Sequence, residues 1–108
     1  MFSLGILLYP YSRMKLESFS PSDLKGKKYK AVFRLDSGRT KTTHFGAVGY
    51  QSYPDHRDEK RKDSYIARHS ARENFNDPTT AGALSRWILW NKTTILGSLA
   101  DFKRRFDV

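Results

Sequence analysis

The sequence predicts one α+β domain, in which a small antiparallel sheet precedes three α-helices packed on one of its faces. The sheet is expected to be a hairpin or a three-stranded meander. Residues 29–45 alternate apolar and polar side chains around a turn, which is typical of paired strands. Residues 54–106 repeat apolar side chains at helical spacing between capping residues. A chain of 108 residues is long enough for one modest core.

The strand pattern is strongest from Tyr29 to Leu35, and Thr40 to Phe45 follows as its partner across the turn Asp36–Arg39. A shorter strand is predicted from Leu16 to Phe19. The register of the hairpin stays open, because one residue of slip exchanges the two faces. A two-residue turn places Thr40, Thr42 and His44 beside the apolar face. A three-residue loop places Lys41 and Phe45 there instead.

Three helices are predicted after the sheet. The first opens at Pro54 and runs toward Arg72, with Tyr65, Ile66 and His69 facing inward. The second is capped by Thr79 or Thr80 and runs through Trp90 to Asn91. The third is capped by Thr93 or Thr94, and its apolar stripe is Ile95, Leu99, Phe102 and Phe106.

Residues 1–13 are interpreted as an apolar N-terminal arm in front of a single domain over residues 14–108. The arm is too short to span a bilayer, which takes about 20 apolar residues, so no membrane span is expected. It is expected to dock on its own domain or on a neighbour. The residues expected at an interface are apolar or aromatic: Phe2, Ile6, Leu7, Leu8, Tyr9, Tyr50, Tyr53 and Trp90.

The chain is strongly basic, with a net charge of +9 and no cysteine. The lack of cysteine excludes disulfides, thiol catalysis and cysteine-bound zinc. Residues 13–43 hold nine basic and three acidic residues, whereas the charges from Asp58 to Asp63 nearly balance and resemble a solvated helix face. Two interpretations of the basic strands stay open: contact with a polyanion, or lysines that guard a strand edge. The candidates are Lys25, Lys27, Lys28, Lys30, Arg34, Arg39 and Lys41.

Catalytic chemistry is not predicted, so the protein is expected not to be an enzyme and to need no cofactor or metal. His44, His56 and His69 could form a nuclease-like metal site with Asp55, Asp58 and Glu73, but their spacing is far from that of a ligand pair. Gly46 and Gly49 lack the lysine and hydroxyl residue of a phosphate-binding loop. Ser85 and Ser98 are interpreted as helix-packing residues, and Trp87 as a core residue.

Several runs of the sequence resemble a family of short, uncharacterised proteins encoded by large DNA viruses of algae, the chlorovirus-like nucleocytoplasmic group. The resemblance covers about residues 14–106, and members often start near Met14. It is carried by Gly38–Gly46, Gly49-Tyr50, His56–Asp58, Arg68-His69, Arg72–Phe75, Asp77–Gly82 and Leu84–Trp90, of which the stretch from Asp77 to Trp90 is the most specific.

The resemblance implies a viral source, and small basic proteins of that kind are commonly virion components. The expected function is therefore that of a minor capsid or cementing protein, located in the virion after assembly in the host cytoplasm or nucleus. Its expected partners are other capsid proteins, including a major capsid protein, with viral DNA as a further candidate. The alternative is a genome-associated nucleic-acid-binding protein, and a small metal-dependent nuclease comes third. The family has no established catalytic residues to transfer.

Overall fold

A computed structural model of the protein describes residues 14–108 as a three-stranded antiparallel sheet followed by four helices. Strands β1 (Lys15–Pro21), β2 (Lys27–Arg34) and β3 (Thr40–Ala47) form an open meander in the order β1-β2-β3. The predicted α+β class is confirmed. Of the two forms of sheet that were expected, the structure has the three-stranded meander. The predicted apolar arm, with Phe2, Ile6, Leu7, Leu8 and Tyr9, lies outside the described residues.

A three-residue loop sets the register between β2 and β3. The Leu35 amide donates to the Arg39 carbonyl at 2.7 Å, and the Gly38 amide donates to the Leu35 carbonyl at 2.8 Å. Phe33 consequently pairs with Lys41, and Tyr29 pairs with Phe45. The second of the two registers allowed by the sequence is therefore the one adopted, and it places Phe45 in the core.

The helices are α1 (Tyr53–His56), α2 (Glu59–Ser70), α3 (Ala81–Leu84) and α4 (Ile95–Phe106), and a π-helical turn at Ser85–Leu89 continues α3. The single helix predicted from Pro54 to Arg72 is wrong, because the chain breaks at Arg57, whose φ is 52°. Two competing caps explain the break. Asp55 completes a capping box with Ser52 at α1, while Asp58 accepts from the Lys60 amide at 2.9 Å and starts α2 anew.

The caps of the later helices confirm two of the predicted starts. The Thr80 hydroxyl accepts from the Ala83 amide at 3.1 Å and starts α3. The Thr94 hydroxyl accepts from the Gly97 amide at 3.0 Å and starts α4. Each cap satisfies an amide that has no partner within its helix, which is why threonine is favoured at these positions.

The core lies between the helix-facing side of the sheet and the last two helical segments. Its fully buried members are Ala31, Phe33 and Phe45 from the sheet with Leu84, Ile88 and Phe102 from the helices. The rings of Phe33 and Phe102 lie 6.4 Å apart, and the predicted stripe of α4 packs against this cluster. Ser98 is fully buried and accepts from the Lys92 amide at 2.9 Å, as a packing residue does.

Helix α2 contributes no buried residue to this core. It lies beside the sheet and the π-helical turn, and the space between them is the cleft described below. Within residues 14–108, no helix is long and apolar enough to cross a membrane.

Candidate functional site

A cleft of about 860 Å³ opens between α2 and the body of the domain. One wall comes from β2, the end of β3 and the loop that follows it. The opposite wall comes from α2. The floor is formed by the start of α3 and by the π-helical turn. The cleft therefore joins parts of the chain that lie far apart in the sequence.

Positive charge dominates both walls of the cleft. Lys27 and Lys28 lie on the sheet side, and Lys60, Arg61 and Arg68 lie on α2. The carboxylate of Glu73 is the only acidic group that the described residues contribute to the lining. A concave surface lined by charges of one sign concentrates the electrostatic field, so this cleft is built to attract anions.

The periodicity of α2 separates charges that are mixed in the sequence. At about 100° per residue, Arg61 and Arg68 lie within about 20° of each other on the helix. Glu59 and Asp63 lie about 160° from Arg61, on the far side. The residues from Asp58 to Asp63 are largely solvent-exposed, as expected, but Lys60 and Arg61 also line the cleft. The helix thus turns a nearly neutral stretch of sequence into one basic face.

Three stacked rings, with a fourth ring tilted against them, lie beside the basic walls. Tyr65 stacks on His69 at a centroid distance of 4.0 Å and on Trp90 at 4.5 Å, with planes 22° and 8° apart. The His56 ring lies 5.3 Å from the Trp90 ring, with planes 47° apart. Tyr65, His69 and Trp90 all line the cleft. Burial raises the pKa of the Tyr65 hydroxyl, so this group is a neutral hydrogen-bonding partner at physiological pH.

The π-helical turn fixes Trp90 in this stack. The Trp90 amide donates to the Ser85 carbonyl at 3.1 Å, five residues back, and its carbonyl accepts from Arg86 at 2.8 Å. Turns of this kind are rare and are often found at functional sites. Here the turn brings Trp90 beside α2, where its ring stacks on Tyr65.

Tyr50 stands on the rim of the cleft as an exposed aromatic side chain. Its residue is 75% exposed, and its carbonyl accepts a hydrogen bond from the Lys28 ammonium. Leu24 and Val48 are also exposed, and the Val48 amide donates to the Gly26 carbonyl at 3.0 Å, which holds the two loops together. An apolar patch formed by Leu24, Val48 and Tyr50 therefore borders the basic cleft.

The seven basic candidates do not all lie on one face of the sheet. Lys30 lies 3.6 Å from Asp23, and Arg34 lies 2.8 Å from Glu17, so both pair locally on the sheet. Lys41 donates to the Thr79 hydroxyl at 3.0 Å, on the side of the helices. The three-residue loop causes this, because it turns Lys41 toward the apolar face.

Only two members of that predicted set, Lys27 and Lys28, line the cleft. Lys25 and Arg39 are exposed in the turns at opposite ends of β2. The length of β2 therefore separates the charges of Lys25 and Arg39. The alternation of apolar and polar side chains along the strand does not indicate this separation.

The predicted interface aromatics have three different surroundings. Tyr50 is exposed, as expected. Trp90 is half-buried in the stack. Tyr53 is only 5% exposed, so its prediction as an exposed contact is wrong. Its ring is covered by the Lys62 ammonium at 4.6 Å, and its hydroxyl donates to Glu59, which together seal it under α2.

The three histidines do not assemble a metal site. His44 pairs with the Ser22 hydroxyl at 2.7 Å on the sheet, while His56 Nδ1 accepts from the Asp58 amide at 3.0 Å. His69 Nδ1 lies 2.9 Å from the Tyr65 carbonyl. Among residues 14–108, no three histidine, aspartate or glutamate side chains are placed to hold a metal ion.

Sequence reasoning missed the α2 half of the cleft. The signal was present, because Lys60, Arg61, Tyr65, Arg68 and His69 recur at spacings of four and eight residues along one helix face. The break at Arg57 obscured this pattern, because a helix that is assumed to start at Pro54 gives no reason to single out the face that carries these five residues. Nothing local predicts that Trp90 stacks on Tyr65.

A family described as a family of unknown function (DUF5754) has a sequence model that matches residues 17–69, just under half of the chain. This range contains nearly all of the sheet, α1 and nearly all of α2. It therefore includes the five basic residues of both cleft walls, whereas the floor and Trp90 lie beyond it. No curated protein and no solved structure matches the chain significantly.

Proposed function

We propose that this protein binds nucleic acid in the cleft between α2 and the sheet. The observation that carries the proposal is the lining itself, which combines five basic side chains with one carboxylate beside a stack of aromatic rings. Lysine and arginine contact phosphates, and aromatic side chains stack on bases. The cleft offers both kinds of contact within one concave surface.

Phosphate contacts are assigned to Lys27 and Lys28 on one wall and to Lys60, Arg61 and Arg68 on the other. Two facing rows of positive charge favour a chain of phosphates over a single anion, because each successive phosphate finds a further cation. Tyr50 on the rim is 75% exposed and can stack on a base with little rearrangement. The net charge of +9 adds long-range attraction for the same ligand.

The proposal predicts binding that weakens steeply with salt and depends on α2. Neutralising Lys60→Gln together with Arg61→Gln removes two phosphate contacts. We expect the slope of log affinity against log salt to shrink by about 1.4, since each contact with a single strand contributes about 0.7. The measurement is fluorescence anisotropy of a labelled oligonucleotide, titrated with protein at several salt concentrations.

A matched control removes the same charge elsewhere. Lys25 and Arg39 are exposed turn residues outside the cleft lining, so the double variant Lys25→Gln with Arg39→Gln should keep the slope nearly unchanged. If the two double variants lose affinity equally, the charge acts without a defined site and the cleft proposal fails. If the unmodified protein binds no oligonucleotide at low salt, nucleic-acid binding itself fails.

A second candidate function is that of a minor capsid or cementing protein of a large DNA virus. It is supported by the sequence resemblance and by the exposed patch of Leu24, Val48 and Tyr50, which are 50%, 60% and 75% exposed. Exposed apolar side chains in neighbouring loops can be covered by another protein. A capsid protein would be the partner of this patch, while the basic cleft would meet viral DNA inside the particle.

The virion proposal is tested by mass spectrometry of purified particles that are stripped stepwise with salt and detergent. A virion component should be present at a fixed ratio to the major capsid protein and should leave with the shell. Release together with the DNA core would favour genome association. Absence from the particles would end the structural proposal and leave a role in infected cells.

A further inference from the structure

Glu73 gives the basic cleft one end of opposite charge. It follows α2 and lines the cleft next to Gly82 at the start of α3. The two residues pack closely, since a Cβ atom on Gly82 would lie 2.6 Å from the carboxyl carbon of Glu73. Tyr65 lines the same cleft, and the charge of Glu73 is one of the causes that raise the pKa of the Tyr65 hydroxyl.

Glu73 is solvent-exposed, so its carboxylate is accessible to a ligand in the cleft. Within residues 14–108 it makes no ion pair within 4.0 Å and accepts no hydrogen bond, although Arg68 lines the same cleft. An ionised carboxylate only accepts hydrogen bonds, and it repels phosphate. A phosphate chain held by the lysine and arginine walls would therefore avoid this end, and a neutral group that donates hydrogen bonds would be favoured there.

We infer that Glu73 accepts a hydrogen bond from the exocyclic amino group of an unpaired base, so that the cleft binds single strands and prefers amino-bearing bases. This inference rests on the proposed function, because the phosphates must be held by the basic walls. Cytosine presents an amino group at the position where uracil presents a carbonyl oxygen. A carboxylate is attracted to the first and repelled by the second.

The shape of the site favours a single strand. Reading a base in duplex DNA requires a protein element that enters a groove. Glu73 instead lines a concave cleft, so the base has to come to the carboxylate. An unpaired base can do this when its neighbours stack on exposed rings such as Tyr50, which is how single-strand-binding proteins hold their ligands.

The test compares oligo-dC and oligo-dU of equal length. On the Watson–Crick edge cytosine carries the amino group beside an acceptor N3, whereas uracil carries an N3–H donor between two carbonyl oxygens, which repel a carboxylate. We expect oligo-dC to bind about five- to tenfold more tightly at neutral pH in fluorescence anisotropy. The variant Glu73→Gln keeps an acceptor oxygen but adds an amide donor, so it can pair with either base. Both oligonucleotides should then bind more tightly, and their affinities should differ by less than about twofold.

Asp63→Asn is the matched control. It removes one negative charge, as Glu73→Gln does, but from an exposed position of α2 outside the cleft lining. It should preserve the preference for oligo-dC. Equal affinities for the two oligonucleotides, a preference that survives Glu73→Gln, or a duplex bound as tightly as the strand would each overturn the inference. The proposed function would stand in those cases as long as binding still depends on Lys60 and Arg61, and complete absence of binding would overturn both.

Discussion

Gly46 occupies a position where two independent requirements exclude a side chain. Its φ is 81°, a left-handed conformation that residues with a Cβ atom adopt at a cost. A Cβ atom would also lie 3.0 Å from Leu89 Cδ1 and 3.1 Å from Lys28 Cβ, where β3 meets the floor of the cleft. Gly38 has a similar φ of 88°, but the space around it is empty. Substitutions at Gly38 and Gly46 therefore distinguish the cost of backbone strain from the cost of steric overlap.

We predict that Gly38→Ala lowers the free energy of unfolding by about 1 kcal/mol, which is the cost of the left-handed conformation. Gly46→Ala should cost that amount plus about 1–3 kcal/mol, because the added methyl group overpacks the contact with Leu89. Chemical denaturation of both variants measures the difference. Equal losses would mean that Lys28 and Leu89 move aside and that the close approach of β3 is not required.

At the scale of elements, α2 is attached to the domain by side-chain contacts that lie outside the core. Tyr65 stacks on Trp90, and the Lys62 ammonium donates to the Asn91 carbonyl at 2.8 Å. Glu59 accepts from the Tyr53 hydroxyl at the start of the helix. Helices with few buried apolar contacts open at low free energy. The cleft wall formed by α2 is therefore expected to be the part of the domain that adapts to a ligand.

The stack makes a specific prediction about α2. Tyr65→Ala removes the ring that joins the helix to Trp90, so amide hydrogen exchange over residues 59–70 should accelerate, while exchange in α4 stays nearly unchanged. Tyr65→Phe keeps the ring and loses only the hydroxyl, so it should remain close to the original protein. Hydrogen exchange followed by mass spectrometry resolves the two helices. Similar acceleration in both helices would show that α2 is part of the global folding unit.

At the scale of the whole molecule, the core is shared between the two halves of the chain. Phe33 and Phe45 come from the sheet, whereas Leu84, Ile88 and Phe102 come from the helices after residue 80. The range matched by the family of unknown function ends at residue 69, before any of these helical residues. The matched part therefore contains both basic walls of the cleft but only one side of the core.

A fragment of residues 14–70 is consequently predicted not to fold by itself, because the apolar face of its sheet would be left in water. Burying a phenylalanine side chain contributes about 1.5–3 kcal/mol, and the fragment loses the burial of both Phe33 and Phe45. Circular dichroism in the near ultraviolet and the dispersion of amide signals in NMR spectra measure the packing. A cooperative unfolding transition of the fragment would show instead that the sheet and α2 form an independent unit.

The features that follow from local physical chemistry were predictable from the sequence. Alternation around Tyr29–Leu35 predicted the strand, and threonine before an apolar stripe predicted the starts of α3 and α4. The same alternation limited the register of the hairpin to two possibilities. Leu35 and Arg39 decide between them by closing a three-residue loop, which no periodicity in the strands specifies.

Tertiary structure alone decided where the charges and rings meet. From the sequence, the seven basic residues near the hairpin could have formed one surface, but the length of the strand and local ion pairs separate them. The cleft forms because Asp58 restarts the helix after Arg57, which sets the phase of α2, and because the π-helical turn carries Trp90 onto Tyr65. The sequence by itself determined the class of fold and the caps of α3 and α4, since these depend on neighbours along the chain. The candidate site depends on contacts between distant residues, which only packing specifies.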